Sequence, residues 1–127
     1  MENIHIESTE SSPEIQFDFA AHKLVIKGES YPENVSKFYG PVFDALQTYL
    51  NSLKGEAVTV DVELIYFNSS SVKAIMNLFD MLENAAKSGN PITVNWHYHE
   101  EDDTILEFGE EFAEDLQHVT FNLHEVK

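Results

Sequence analysis

The chain has 127 residues, 43% of them hydrophobic, with nine Phe, five Tyr and one Trp. That length points to one domain with enough apolar surface for a packed core, and it excludes a disordered chain. Twenty-three acidic against seven basic residues give a net charge of -16, which repels nucleic-acid backbones and anionic lipid heads and steers basic partners inward.

The absence of cysteine removes disulfides, thiolate nucleophiles and Cys-ligated zinc. The opening Met1-Glu2-Asn3-Ile4-His5 lacks the basic and apolar regions of a secretory signal. No apolar run approaches the ~20 residues that span a bilayer. These features predict a cytoplasmic protein that neither inserts in membranes nor binds nucleic acid.

Residues 7–14 are polar and read as a loose lead-in. Ile15, Phe17 and Phe19 then alternate with Gln16 and Asp18, and Leu24 and Ile26 alternate with Lys23 and Lys27. Ala20-Ala21-His22 between them fits a hairpin turn. A helix is predicted within 33–53, with Val35, Phe38, Val42, Leu46, Leu50 and Leu53 on one stripe. Gly40-Pro41 interrupts it, so the helix either kinks there or starts afresh with Pro41 at its first position. Val58, Val60, Val62 and Leu64 alternate with Thr59, Asp61 and Glu63 to give a third strand. A second helix follows over about 70–87, on Val72, Ile75, Met76, Phe79, Leu82 and Ala86, and stops at Ser88-Gly89-Asn90-Pro91. Ile92, Val94, Trp96 and Tyr98 mark a fourth strand, residues 103–116 a third helix, and Val119, Phe121 and Leu123 a fifth strand.

The order is β-β-α-β-α-β-α-β, an α/β chain with a mixed sheet of about five strands. The strand-helix-strand segment from Val58 to Tyr98 predicts a right-handed parallel crossover. Each strand has one apolar and one polar face, whereas a sheet covered on both faces reads as continuous apolar runs. The helices are therefore expected on one face and water on the other.

The most informative stretch is Ile65-Tyr66-Phe67-Asn68-Ser69-Ser70-Ser71-Val72-Lys73, which joins the third strand to the second helix. Asn and Ser here fit N-capping. A helix start also favours anions, by ~0.3–1 kcal/mol, so phosphorylation of a serine is the second reading. A phosphoserine brings about -1.5 to -2 charges.

His97 and His99 share a strand face, as a metal pair would, and His124 is a possible neighbour; solvent-facing histidines are the competing and preferred reading. Glu100, Glu101, Asp102 and Asp103 lack the spacing of an EF-hand loop and fit a solvated turn. Glu107, Glu110, Glu111, Glu114 and Asp115 continue the charge on the third helix, as a solvated face or a docking face for a basic partner. There is no Gly-rich phosphate loop, Gly-x-Ser-x-Gly or His-Glu-x-x-His. The expectation is a non-enzymatic chain without cofactor or metal.

Four segments carry a family resemblance. They are Ser30-Tyr31-Pro32-Glu33-Asn34, the Phe-Tyr-Gly-Pro-Val-Phe run at 38–43, Tyr66-Phe67-Asn68-Ser69-Ser70-Ser71, and Gly109-Glu110-Glu111-Phe112-Ala113-Glu114-Asp115. Together they resemble the SiaC-like regulatory phosphoproteins over nearly the whole chain. The resemblance implies a STAS-like fold, similar to anti-sigma-factor antagonists. It implies a partner switch set by a serine/threonine kinase and a PP2C-type phosphatase, in which the unphosphorylated protein activates a diguanylate cyclase of the GGDEF type. Raised cyclic di-GMP then promotes aggregation and biofilm. In the family a Thr following Tyr-Phe-Asn carries the phosphate, and the matching position here is Ser69, with Ser70 and Ser71 as alternatives. Tyr31, Pro32, Glu33, Asn34, Asn68 and Lys73 are the expected partner contacts. An anti-sigma-factor-antagonist role in transcription is the alternative function.

Overall fold

A computed structural model describes residues 2–127. Nine elements follow one another: β1 (Ile4–Ile6), β2 (Glu14–Asp18), β3 (Lys23–Ser30), α1 (Val35–Asn51), β4 (Val58–Phe67), α2 (Ser69–Lys87), β5 (Ile92–His99), α3 (Asp103–Glu114) and β6 (Thr120–Val126). The strands form one sheet in the order β1-β2-β3-β4-β5-β6. β1, β2 and β3 pair antiparallel, and β3 through β6 pair parallel. The mixed sheet and three helices agree with the sequence reading, with six strands in place of about five.

The added strand is β1. Its alternation is three residues long, too short to stand out, yet Ile4 pairs with Phe17 and Ile6 with Ile15 and shields the edge of β2. The segment after it is not loose. Thr9 folds onto Ser12, its Oγ1 accepting from Ser12 N at 3.0 Å, and Tyr31 N donates to Ser11 O at 2.7 Å. Ser12 and Pro13 are buried as a result. The β2–β3 turn falls at the expected place, closed by His22 in the left-handed region at φ 58°.

Helix α1 begins at Val35 with Asn34 as its cap, Oδ1 accepting from Lys37 N at 3.0 Å. It runs through Gly40-Pro41 rather than restarting there. Pro41 faces solvent, where water can serve the carbonyl that the missing N–H leaves unbonded. The buried side of the helix is Tyr39, Val42, Leu46, Tyr49 and Leu50. Val35 and Phe38 sit at its margin, so the stripe is rotated toward the tyrosines.

The one-sided sheet is as the alternation required. Val58, Val60, Val62 and Leu64 of β4 and Ile92, Val94 and Trp96 of β5 are buried under the helices. Thr59, Asp61, Thr93, Asn95 and His97 lie on the partly exposed face. Trp96 is fully buried; its Nε1 donates to Ile105 O at 2.9 Å, and Phe67, Phe79, Phe112 and Phe121 surround the ring.

The end of β4 departs from strict alternation. Gly28 pairs with Leu64 but Glu29 pairs with Tyr66, leaving Ile65 as an extra residue. Such a bulge shifts side-chain direction by one position. Phe67 is thereby buried against Trp96 and Phe108, and Tyr66 is turned outward. The sequence reading ended this strand at Leu64; the bulge carries it to Phe67, where Asn68 opens α2.

Candidate functional site: a groove between the first two helices

Helices α1 and α2 lie side by side, and a groove of about 1220 Å³ opens where they begin. One wall is the segment from Tyr31 to Asn34 and the first turns of α1. The other is Asn68, Ser70 and Lys73 of α2. Every expected partner contact (Tyr31, Pro32, Glu33, Asn34, Asn68 and Lys73) therefore lines one cavity, although the two groups are over thirty residues apart in sequence.

Behind Tyr39, which lines the groove, is a buried knot of hydroxyls. Ser30 Oγ lies 2.6 Å from Tyr39 OH and 2.9 Å from Ser71 Oγ. All three residues are buried, and they tie the end of β3 to α1 and α2. Burial pushes the Tyr39 phenol above its ordinary pKa against the lowering effect of the Ser30 bond, so it stays neutral. Sequence reasoning missed this knot. Ser30 and Tyr39 lie inside the segments that carry the family resemblance, but nothing in their spacing shows that their hydroxyls meet.

At the start of α2, Asn68 is the cap. Its Oδ1 accepts from Ser71 N at 3.0 Å, and its own N–H donates to Ser30 O at 3.1 Å. The other first-turn donors belong to Ser69 and Ser70. Both of those side chains are exposed, while Ser71 is enclosed at 0%. Lys73, also exposed, stands four residues after Ser69 and so on the same side of the helix. Three carboxylates, Glu33, Asp44 and Asp80, share the groove with this one ammonium.

At the mouth, Tyr31 of the groove wall packs edge to face on Tyr66 at 5.7 Å. The Tyr31 phenol is raised, first by desolvation and then by Glu29 and Glu10. Ile65 and Tyr66 are each half exposed, as is Met76 one turn beyond Lys73.

The histidines make no comparable site. His97 Nε2 lies 2.9 Å from Asp61 Oδ1 and His124 Nε2 lies 3.1 Å from Asn95 Oδ1, with the two rings stacked at 5.2 Å. His99 stands exposed at the strand end. Among the described residues no group of three or more His, Cys, Asp or Glu is placed to hold a metal. In the acidic turn, Asp102 caps α3 by accepting from Ile105 N at 3.0 Å. No described helix is long and apolar enough to cross a membrane.

A mixed sheet with helices on one face, presenting an open helix–helix groove beside two accessible serines, has the form of a regulatory binding protein. The chain belongs to the SiaC family of regulatory phosphoproteins, whose model matches residues 6–126. It is 39% identical over 115 residues, 91% of this chain and 90% of the other, to an uncharacterised protein of Pseudomonas aeruginosa. The solved structure of SiaC from the same organism superposes with a TM-score of 0.90 at 36% identity, covering 99% of this chain and all of that one. SiaC bound to the diguanylate cyclase SiaD, described there as its activator, matches with a TM-score of 0.91 at 36% identity over 97% of this chain and 99% of that one.

Proposed function

We propose that this chain is a cytoplasmic activator of a diguanylate cyclase that binds in its unphosphorylated form and is kept from the cyclase by phosphorylation of Ser69. The observation that carries the reading is the convergence of the Tyr31–Asn34 segment, Asn68 and Lys73 on one groove beside Ser69 and Ser70. The likeness to an activator solved with its cyclase supports the choice of partner.

The switch follows from charge. A phosphate at the first residue of α2 meets the free donors of that turn and the positive end of the helix, which tolerate it without refolding. It adds about -1.5 to -2 charges beside a groove that holds three carboxylates and one ammonium. A partner segment that packs apolar groups on Tyr66 and Met76 then meets the bulk of the phosphate and the cost of desolvating it. The enclosure of Ser71 in the hydroxyl knot removes it as a target and leaves the exposed Ser69 and Ser70, of which Ser69 holds the family's motif position after Tyr66-Phe67-Asn68. A serine/threonine kinase and a PP2C-type phosphatase set the phosphorylation level, and cyclic di-GMP, aggregation and biofilm follow it.

The test pairs Ser69→Ala with Ser69→Asp against the cyclase of the same organism. The Ala variant is expected to bind and activate it whether or not the kinase is present, and the Asp variant to bind at least tenfold more weakly. Equal activation by both variants refutes the gate. No binding by the unmodified protein refutes the choice of partner.

A further inference from the structure

The two edges of the sheet are unlike. β1 is three residues long, whereas β6 is seven. β6 is paired to β5 in unbroken register from Thr120 to Val126, and its other side presents a row of backbone donors and acceptors to solvent. Edge strands are commonly blunted by lysine, proline, a bulge or shortness. Thr120-Phe121-Asn122-Leu123-His124-Glu125-Val126 has no lysine, proline or bulge, and its one charged residue is Glu125, on the same face as Leu123, which deters an acidic edge and suits a basic one.

The strip beside this edge has a definite chemistry. Leu123 is on the helix-covered side yet 40% exposed. Helix α3 lies over it at Gly109, where an added Cβ would come within 2.9 Å of Leu123 Cδ2 and 2.5 Å of Trp96 Cδ1. With about 3.6 residues per turn, Phe108 and Phe112 fall on one side of Gly109, where they pack on Phe67 and Phe79 of the core. Leu106, Glu110 and Asp103 fall on the other side, above the free edge. Leu106 is partly buried, and Glu110 and Asp103 are exposed.

We propose that β6 takes up an extended basic segment of a partner protein as a seventh strand. The partner backbone pairs with the free edge, an apolar side chain covers Leu123 and Leu106, and Lys or Arg residues reach Glu110 and Asp103. Main-chain pairing supplies affinity and alternate side chains supply selectivity, as in other strand additions. The net charge of -16 steers a basic segment to this edge. It disfavours a second copy, since self-pairing of β6 would bring two acidic α3 faces together. This surface is separate from the α1–α2 groove, so its failure leaves the proposed function standing.

The experiment uses the full chain and a ten-residue peptide in which Val and Lys take turns at every second position, so that both lie on one face of the strand, with Thr between them. Binding is followed by calorimetry and by amide hydrogen exchange resolved to segments. The expected result is protection of residues 120–126, binding weakened at least tenfold when each Lys is replaced by Glu, and a similar loss for Glu110→Lys or Leu123→Lys in the protein. Glu110 is exposed, so its replacement leaves the fold intact; unchanged melting is the control. Two peptides N-methylated at alternate residues, one in each frame, separate pairing from adsorption, because one frame alone should lose binding. Protection in the α1–α2 groove, undiminished binding by both methylated peptides, or a peptide-free dimer with β6 protected would each overturn the proposal.

Discussion

Glu83 of α2 is expected to stabilise the fold in a pH-dependent way through one local clamp. Its Oε1 accepts from the backbone N–H groups of Gln117, His118 and Val119 at 3.2, 2.9 and 3.1 Å, and its Oε2 lies 2.7 Å from His118 Nδ1. One carboxylate thus gathers the loop between α3 and β6. Partial burial acts to raise its pKa, but the bonds from the His118 side chain and the three backbone donors outweigh that and lower it from 4.5 to about 2. A shift of that size corresponds to roughly 3 kcal/mol at most by linkage. The carboxylate works at the surface, where solvent screens it, so about 1–2 kcal/mol is the expected contribution. The folded-state pKa lies below the unfolded one. The contribution is therefore full above about pH 4.5 and is lost as pH falls toward about 2. Glu83→Gln keeps the shape and removes the charge. Urea unfolding read by the fluorescence of the single, buried Trp96 should show the variant less stable by about 1–2 kcal/mol at neutral pH. That gap should shrink through the acid window. A gap below about 0.5 kcal/mol, within the usual range of surface changes, or one that does not move with pH, refutes the clamp.

Helix propensity alone favours Gly109→Ala by about 1 kcal/mol, but the new Cβ would sit 2.5–2.6 Å from the Trp96 ring. Overpacking should win, with a net loss of about 1–3 kcal/mol and altered Trp fluorescence; a rise in melting temperature would count against the tight α3–β5 approach. Tyr39→Phe removes one member of the hydroxyl knot and should cost about 1 kcal/mol in urea unfolding while leaving Ser30 bonded to Ser71. Asn68→Ala removes the α2 cap and should cost about 1 kcal/mol; hydrogen exchange should then quicken at residues 69–72 first, and uniform quickening would mean the cap is not local.

Much of the sheet was legible because its alternation is regular. Val58 to Leu64 and Ile92 to Trp96 each announce one dry and one wet face, and the helices occupy the dry one. β1 was not legible because three residues carry too little pattern; its existence depends on pairing with Phe17 and Ile15. Helix α1 was legible in extent but not in facing. Tyr39 and Tyr49 look amphipathic in sequence, and their burial rests on hydroxyl partners that only folding supplies, Ser30 for one and His22 Nδ1 at 2.6 Å for the other.

The candidate site was legible as two motifs and not as one place. The physical link between them is the bulge at Ile65. Without the extra residue, Phe67 would share the open face with Glu63 and Asp61, and the turn into α2 would be displaced by one residue. With it, Phe67 drops into the core and Ser30 pairs with Phe67. Asn68 N then reaches Ser30 O at 3.1 Å, and Ser71 reaches the same serine's hydroxyl. Ser30 immediately precedes the Tyr31–Asn34 segment, so one residue anchors both walls of the groove. The bulge is thus what holds Ser69 outward, Ser71 inward and Tyr66 against Tyr31 at a single corner of the fold. Two positions apart on a helix of about 3.6 residues per turn, Ser69 and Ser71 fall on opposite sides of α2, so where the bulge starts that helix decides which hydroxyl is exposed and which is locked in the core.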